Sequence, residues 1–146
     1  MQMDVAALIS WSATAFGGLY LLGVWLAHGG IHQQDHHQGH NGGSHLPSPL
    51  IFGHMAMAAL GLLIWAVYVA TDNRVLAWSA IGVLAPVVLM GFTMLVTWIP
   101  TRRARPVPSE DPPAERHFPL VVVLLHGLLA VLTLTLVVLS TLEVGT

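Results

Sequence analysis

The chain is 146 residues long, 55% hydrophobic and 8% charged, with a mean hydropathy of +0.72 and a formal net charge of −2. A soluble domain carries about a quarter of its residues charged to wet its surface, so this composition excludes that class and points to a membrane protein. The chain has no cysteine, which excludes disulfides, zinc–thiolate sites, iron–sulfur clusters, thiolate-ligated haem and covalent haem attachment, and leaves His, Met and oxygen as metal ligands.

Polar residues collect in three places and divide the chain into four apolar stretches. Each is long enough to cross a hydrocarbon core roughly 30 Å thick. The first covers 5–27 without a charge. Asp4 precedes it, no Lys or Arg does, and no small-residue cleavage site follows, so it reads as a permanent helix and not a signal peptide. It ends in HGGIHQQDHHQGHNGGSH, residues 28–45, within a polar loop of 28–49. Pro47 and Pro49 then lead into the second span, 50–70. The turn Thr71-Asp72-Asn73-Arg74 is the kind of short connection that joins antiparallel helices. The third span, 75–99, contains Pro86, which frees the carbonyl of Gly82 and is expected to kink the helix. TRRARPVPSEDPPAERH follows, rich in proline and charge, within a loop of 100–117. The fourth span is 118–142. The fold expected is a single all-α membrane domain, an up-down bundle of four transmembrane helices.

Arginine placement sets an expected orientation. Arg102, Arg103, Arg105 and Arg116 share the last loop, and only Arg74 lies on the other side. By the positive-inside rule both long loops are cytoplasmic and both termini outside. Each span also carries small or polar residues at helical spacing. These are Ser10, Thr14, Gly17 or Gly18, Leu21, Trp25 and His28 in the first, and His54, Ala58, Gly61 and Trp65 in the second. Gly82, Pro86, Met90, Met94 and Thr97 follow in the third, and His126, Ala130 and Thr133 in the fourth. Such faces allow close approach of helices or of a flat cofactor.

The chemistry rests on depth. His54 and His126 lie inside the second and fourth spans at similar depths from the same side, about 6 and 12 Å at 1.5 Å per residue. Ionisable residues inside a membrane are costly and mark function. Two imidazoles from different helices can ligate one iron from opposite faces of a porphyrin, with Gly53, Gly61 and Gly127 leaving room for its plane. Hydrogen bonding of either histidine across helices is the alternative. Met90 and Met94 can supply a soft ligand to iron or, with His54, Met55 and Met57, to copper, although methionine more often fills helix interfaces. His117 points away from His126 on a helix and suits a haem propionate, a quinone headgroup or the interface. Arg102 and Arg103 suit propionates, lipid phosphates or an acidic partner. The loop histidines His28, His32, His36, His37, His40 and His45 can bind Cu, Ni or Zn. They show no fixed ligand spacing, and the surrounding Gly, Gln and Asn predict a flexible linker.

The segments GHMAMAALGLLIWAVYVATDNRVLAW and ERHFPLVVVLLHG, with the Arg-rich loop between them, resemble a family of small four-helix actinobacterial membrane proteins. That likeness runs from Gly53 to Val144 and brings no activity with it. The placement of His54 and His126 is similar in kind to that of haem-bearing membrane anchors of respiratory enzymes such as succinate dehydrogenase, an analogy of architecture. The function expected is a b-haem-binding membrane subunit passing electrons between a partner of a larger respiratory complex and quinone, an electron-transfer component and not a complete enzyme. No nucleic-acid partner is expected. A metal sensor, chaperone or transporter built on the His-rich loop, and a structural accessory subunit, are the competing expectations.

Overall fold

The computed structural model describes residues 2–31, 44–104 and 112–143. They form four long helices: α1 Gln2–Ala27, α2 Ser48–Thr71, α3 Arg74–Arg103 and α4 Leu120–Glu143, with one turn of 3-10 helix at Ala114–His117 between the last two. There is no strand among the described residues. All four helices are long and apolar enough to cross a membrane.

Local chemistry sets the helix ends. Pro47 caps α2 and proline recurs in its first turn, where a missing N–H costs nothing because that donor has no partner inside the helix. At its other end Asp72 takes a left-handed conformation (φ 54°) and donates its N–H to the Tyr68 carbonyl at 2.8 Å. Asp and Asn tolerate that region better than other side chains do. Asn73 then accepts from the Val75 N–H at 3.0 Å, capping α3. Two residues therefore reverse the chain.

α3 runs on through Pro100 to Arg103, past the expected end at 99, and the connecting segment starts at Ala104. Pro100 gives up only its own N–H bond. Its carbonyl still accepts from Ala104 at 2.9 Å, and Arg102 and Arg103 sit at the helix end whose partial charge is negative. Pro86 likewise lies inside a continuous helix.

Contacts along the helices fix their directions. Asp4, Ser10 and Thr14 of α1 meet Ser140, Thr133 and again Thr133 of α4. Asp4 and Trp25 of α1 meet Trp65 and Phe52 of α2, so numbering rises along α1 as it falls along both neighbours. With the two-residue turn between α2 and α3, the order is up, down, up, down. Gln2 and Glu143 lie at one end, and the helix ends that adjoin both long connections lie at the other. α1 packs closely with α4 and α2 with α3, and the two pairs meet over a smaller surface.

The core is divided. Near the turn end Ala7, Trp11, Trp65, Tyr68, Ala80 and Leu84 pack together. Trp11 lies so close to Gly61 that a Cβ there would fall 2.8 Å from the indole. Near the loop end Trp25, Leu46, Ile51 and Ala114 form a second cluster. Outward, Phe16 is 71% exposed, Phe92 63% and Val121 74%. Large apolar side chains that face away from the protein along whole helices belong in lipid. The protein is a multi-pass membrane protein whose surroundings are the bilayer.

Candidate functional site

Between the two core clusters stand His54 and His126. His54 comes six residues after Ser48, the start of α2, and His126 six residues after Leu120, the start of α4. Both are thus about 9 Å in from the loop end at 1.5 Å per residue, an equality that the sequence-based helix limits obscured. Each side chain is half-buried.

The two imidazoles are held alike. His54 Nδ1 lies 3.0 Å from the Val87 carbonyl of α3, and His126 Nδ1 lies 2.9 Å from the Thr14 carbonyl of α1. A carbonyl only accepts, so each Nδ1 donates its proton and each neutral ring keeps its lone pair on Nε2. Four residues beyond each carbonyl stands a glycine. A Cβ at Gly91 would meet His54 Cε1 at 3.1 Å, and one at Gly18 would meet His126 Cε1 at 3.2 Å. Gly17 also backs His126, at 3.4 Å from Nδ1. Carbonyl at one position, glycine one turn on, and imidazole laid across both: the device occurs once in each helix pair.

The ring centroids of His54 and His126 are 6.5 Å apart with planes crossing at 62°. Imidazoles that bind one metal ion from opposite sides, at about 2 Å each, have centroids about 6 Å apart. His54 comes from one pair and His126 from the other, so the two rings stand where the pairs meet over less surface. Both histidines hydrogen-bond across helices, the alternative expected from the sequence, and that bond leaves Nε2 as each ring's acceptor or ligand atom.

The other residues singled out from sequence fall elsewhere. Gly61 receives Trp11, and the Cβ direction of Gly127 faces open space, so neither opens the space between the histidines. The line Gly82, Pro86, Met90, Met94, Thr97 is not the buried face of α3, which is Ala77, Ala80, Leu84, Val87, Trp98 and Thr101. On a helix apolar all round, the sequence holds little sign of which face turns inward. Met94 packs against the Trp25 cluster, and Met90 Sδ lies 3.8 Å from the Cβ position of Gly53. His117 stacks on His28, with centroids 3.8 Å apart and planes 12° from parallel. That separation is too short for the two rings to share a metal end to end. Arg102 lies over the Trp98 ring and donates to the Phe118 carbonyl at 3.4 Å, while Arg103 is exposed at the end of α3.

His45 belongs to a different device. Its N–H and Nδ1 donate to Glu115 Oε1 at 2.7 and 3.2 Å, and Ser44 Oγ donates to Oε2 at 2.8 Å. Glu115 is fully buried, and its own carbonyl accepts from Trp98 Nε1 at 2.9 Å. His32, His36, His37 and His40 lie outside the described residues. Among the described residues no three or more His, Asp or Glu are placed to hold a metal ion.

Sequence reasoning missed Gly91, the carbonyls of Thr14 and Val87, and Glu115. A glycine one turn beyond a carbonyl has no signature until the facing helix is known. The chain matches no protein-family model, no curated protein and no solved structure.

Proposed function

We propose that this protein is a b-haem-binding integral membrane subunit that carries electrons between a partner protein and quinone, with His54 and His126 as axial ligands. The observation that carries this reading is the repeated cradle. Two imidazoles, one per helix pair, have the same Nδ1–carbonyl bond, the same glycine beneath Cε1 and centroids 6.5 Å apart. A bound b haem supplies one-electron exchange at its iron, and the cysteine-free chain implies that it is held without covalent attachment.

The residues divide the work between them. By accepting from Nδ1, the Val87 and Thr14 carbonyls fix each ring's tautomer and would make each Nε2 a stronger ligand. Gly18 and Gly91 let the rings lie against a backbone. The apolar helices keep water from the site and tune potential by burial. Held by both histidines, a haem would supply electron exchange and not bond-making chemistry. The positive-inside rule puts the loop end, and with it the nearer edge of the site, on the cytoplasmic side.

The test is the absorbance spectrum of protein purified in mild detergent, before and after dithionite. Sharp α and β bands should appear on reduction, and both His54→Ala and His126→Ala should abolish them. A colourless preparation after expression with ample haem overturns the reading.

A further inference from the structure

The site is far from the middle of the bundle. His54 and His126 lie six residues from the loop-end termini of their helices and 17 residues from the opposite ones, Thr71 and Glu143. At 1.5 Å per residue those distances are about 9 and 26 Å. A haem carries two carboxylates, and a carboxylate in hydrocarbon is costly unless it reaches water or a cation. The near edge is therefore the affordable one.

That edge holds four of the five arginines, Arg102, Arg103, Arg105 and Arg116, together with Glu115 and, by sequence, Asp35, Glu110 and Asp111. Arg102 and Arg103 close α3, and Arg116 and His117 end the 3-10 turn that leads to α4. His28 follows α1 and stacks on His117. Arg102 is tied to Phe118 by a 3.4 Å bond, and Arg116 Nη2 donates to the Ala104 carbonyl at 2.8 Å. The segments bearing these groups are thus joined across the α3–α4 end of the space between the helix pairs. Side chains lean toward the N-terminus of their own helix, so the Cα–Cβ bond of Arg102 tilts back into the membrane, toward the histidines. His28 Nδ1 donates to the Val24 carbonyl at 2.7 Å, which ties the ring to the end of α1. The far end offers Arg74 but also Asp4, Asp72 and Glu143.

We propose that Arg102, with the stacked pair His28 and His117, is a carboxylate-binding cluster that holds the propionates of the haem and so sets which way it stands in the bundle. This rests on the haem reading above. A guanidinium forms paired bonds with a carboxylate, and an imidazole N–H beside it adds a further donor.

The experiment crosses two changes in the full-length protein in detergent: Arg102→Gln, and replacement of haem by its dimethyl ester, which has the same ring without the charges. Haem is titrated into protein expressed without it, and affinity is read from the Soret band. Arg102→Gln should weaken haem binding about tenfold, the scale of one charge-assisted hydrogen bond. The ester should bind the unaltered protein about tenfold more weakly, and the two changes together should be no worse than either alone. His117→Gln should show the same overlap with a smaller loss. Equal affinity for haem and ester in a protein whose reduced spectrum is intact overturns this inference and leaves the histidine ligands standing. The phosphate of an anionic lipid offers these residues the same chemistry. If the Arg102→Gln loss appears only in bilayers containing anionic lipid, and not with the ester, the cluster is a headgroup site and the proposal fails. If no haem binds the unaltered protein, the reading beneath it fails as well.

Discussion

The α1/α4 and α2/α3 pairs close by different chemistry and yet hold their histidines alike. The α1/α4 seam is polar. Ser10 and Thr133 share a hydrogen bond at 2.9 Å, and Thr14 and Thr133 share another at 3.3 Å. Thr14 has given its own proton to the Ser10 carbonyl at 2.8 Å, so Thr133 is the donor to Thr14. Ser140 donates to Asp4, which also receives Tyr68 from α2. The α2/α3 seam is built on Ala77, Ala80, Leu84 and Val87. Among the described residues its one side-chain hydrogen bond between the helices is His54 to Val87. Had the likeness of the two histidine sites followed from general likeness of the pairs, the rest of the seams would match too. They do not. What the two pairs share is the Nδ1–carbonyl bond with a glycine one turn on.

The comparison can be broken at the glycines, where the largest effect is expected. Gly18→Val and Gly91→Val should each drive an imidazole off its carbonyl and, on the proposed haem reading, lower haem affinity about 10- to 100-fold. The two losses should be similar. Gly82→Ala and Gly127→Ala, which meet nothing within 4 Å, should leave the titration unchanged. A large loss at one glycine and none at the other would show that only one half-site is built for a ligand.

Gly61→Val sharpens the comparison from a third position. Its side chain must displace Trp11, so the overpacking cost of about 1–3 kcal/mol should appear as a lower melting temperature in detergent. The reduced spectrum should keep its shape, because this contact joins α1 to α2 and backs no histidine.

The smallest effect tests the polar seam. Thr133→Val removes the hydrogen bonds to Ser10 and Thr14 while keeping the shape. Interhelical bonds of this kind average about 0.6 kcal/mol and reach about 1.7, so a modest fall in unfolding free energy is expected. No position in α2/α3 offers an equivalent change.

Much of this was legible from residue order. Long apolar runs broken by Pro, Gly and charge gave four spans, because a bilayer demands continuous hydrophobic length whatever the partners. The matched depth of His54 and His126 was legible for the same reason, since a polar boundary lies near each. What lay hidden depends on which helices face each other. Val87 and Gly91 look like any turn of an apolar helix, and a helix in lipid lacks the polar face that reveals a core stripe in water. The pairing of His117 with His28, and not with His126, joins residues 89 positions apart. Glu115 read as one more charge in a charged loop until Ser44 and His45 were found around it.

That buried carboxylate bears on how the chain is made. Glu115 lies between the third and fourth crossings, and the donors that surround it lie between the first and second. They can meet only when an even number of crossings separates them and both connections have stayed on one side. A nascent chain that threads its second or third segment the wrong way leaves Glu115 on the opposite side of the membrane from Ser44 and His45. The contact can therefore form only after the second and third segments have both crossed.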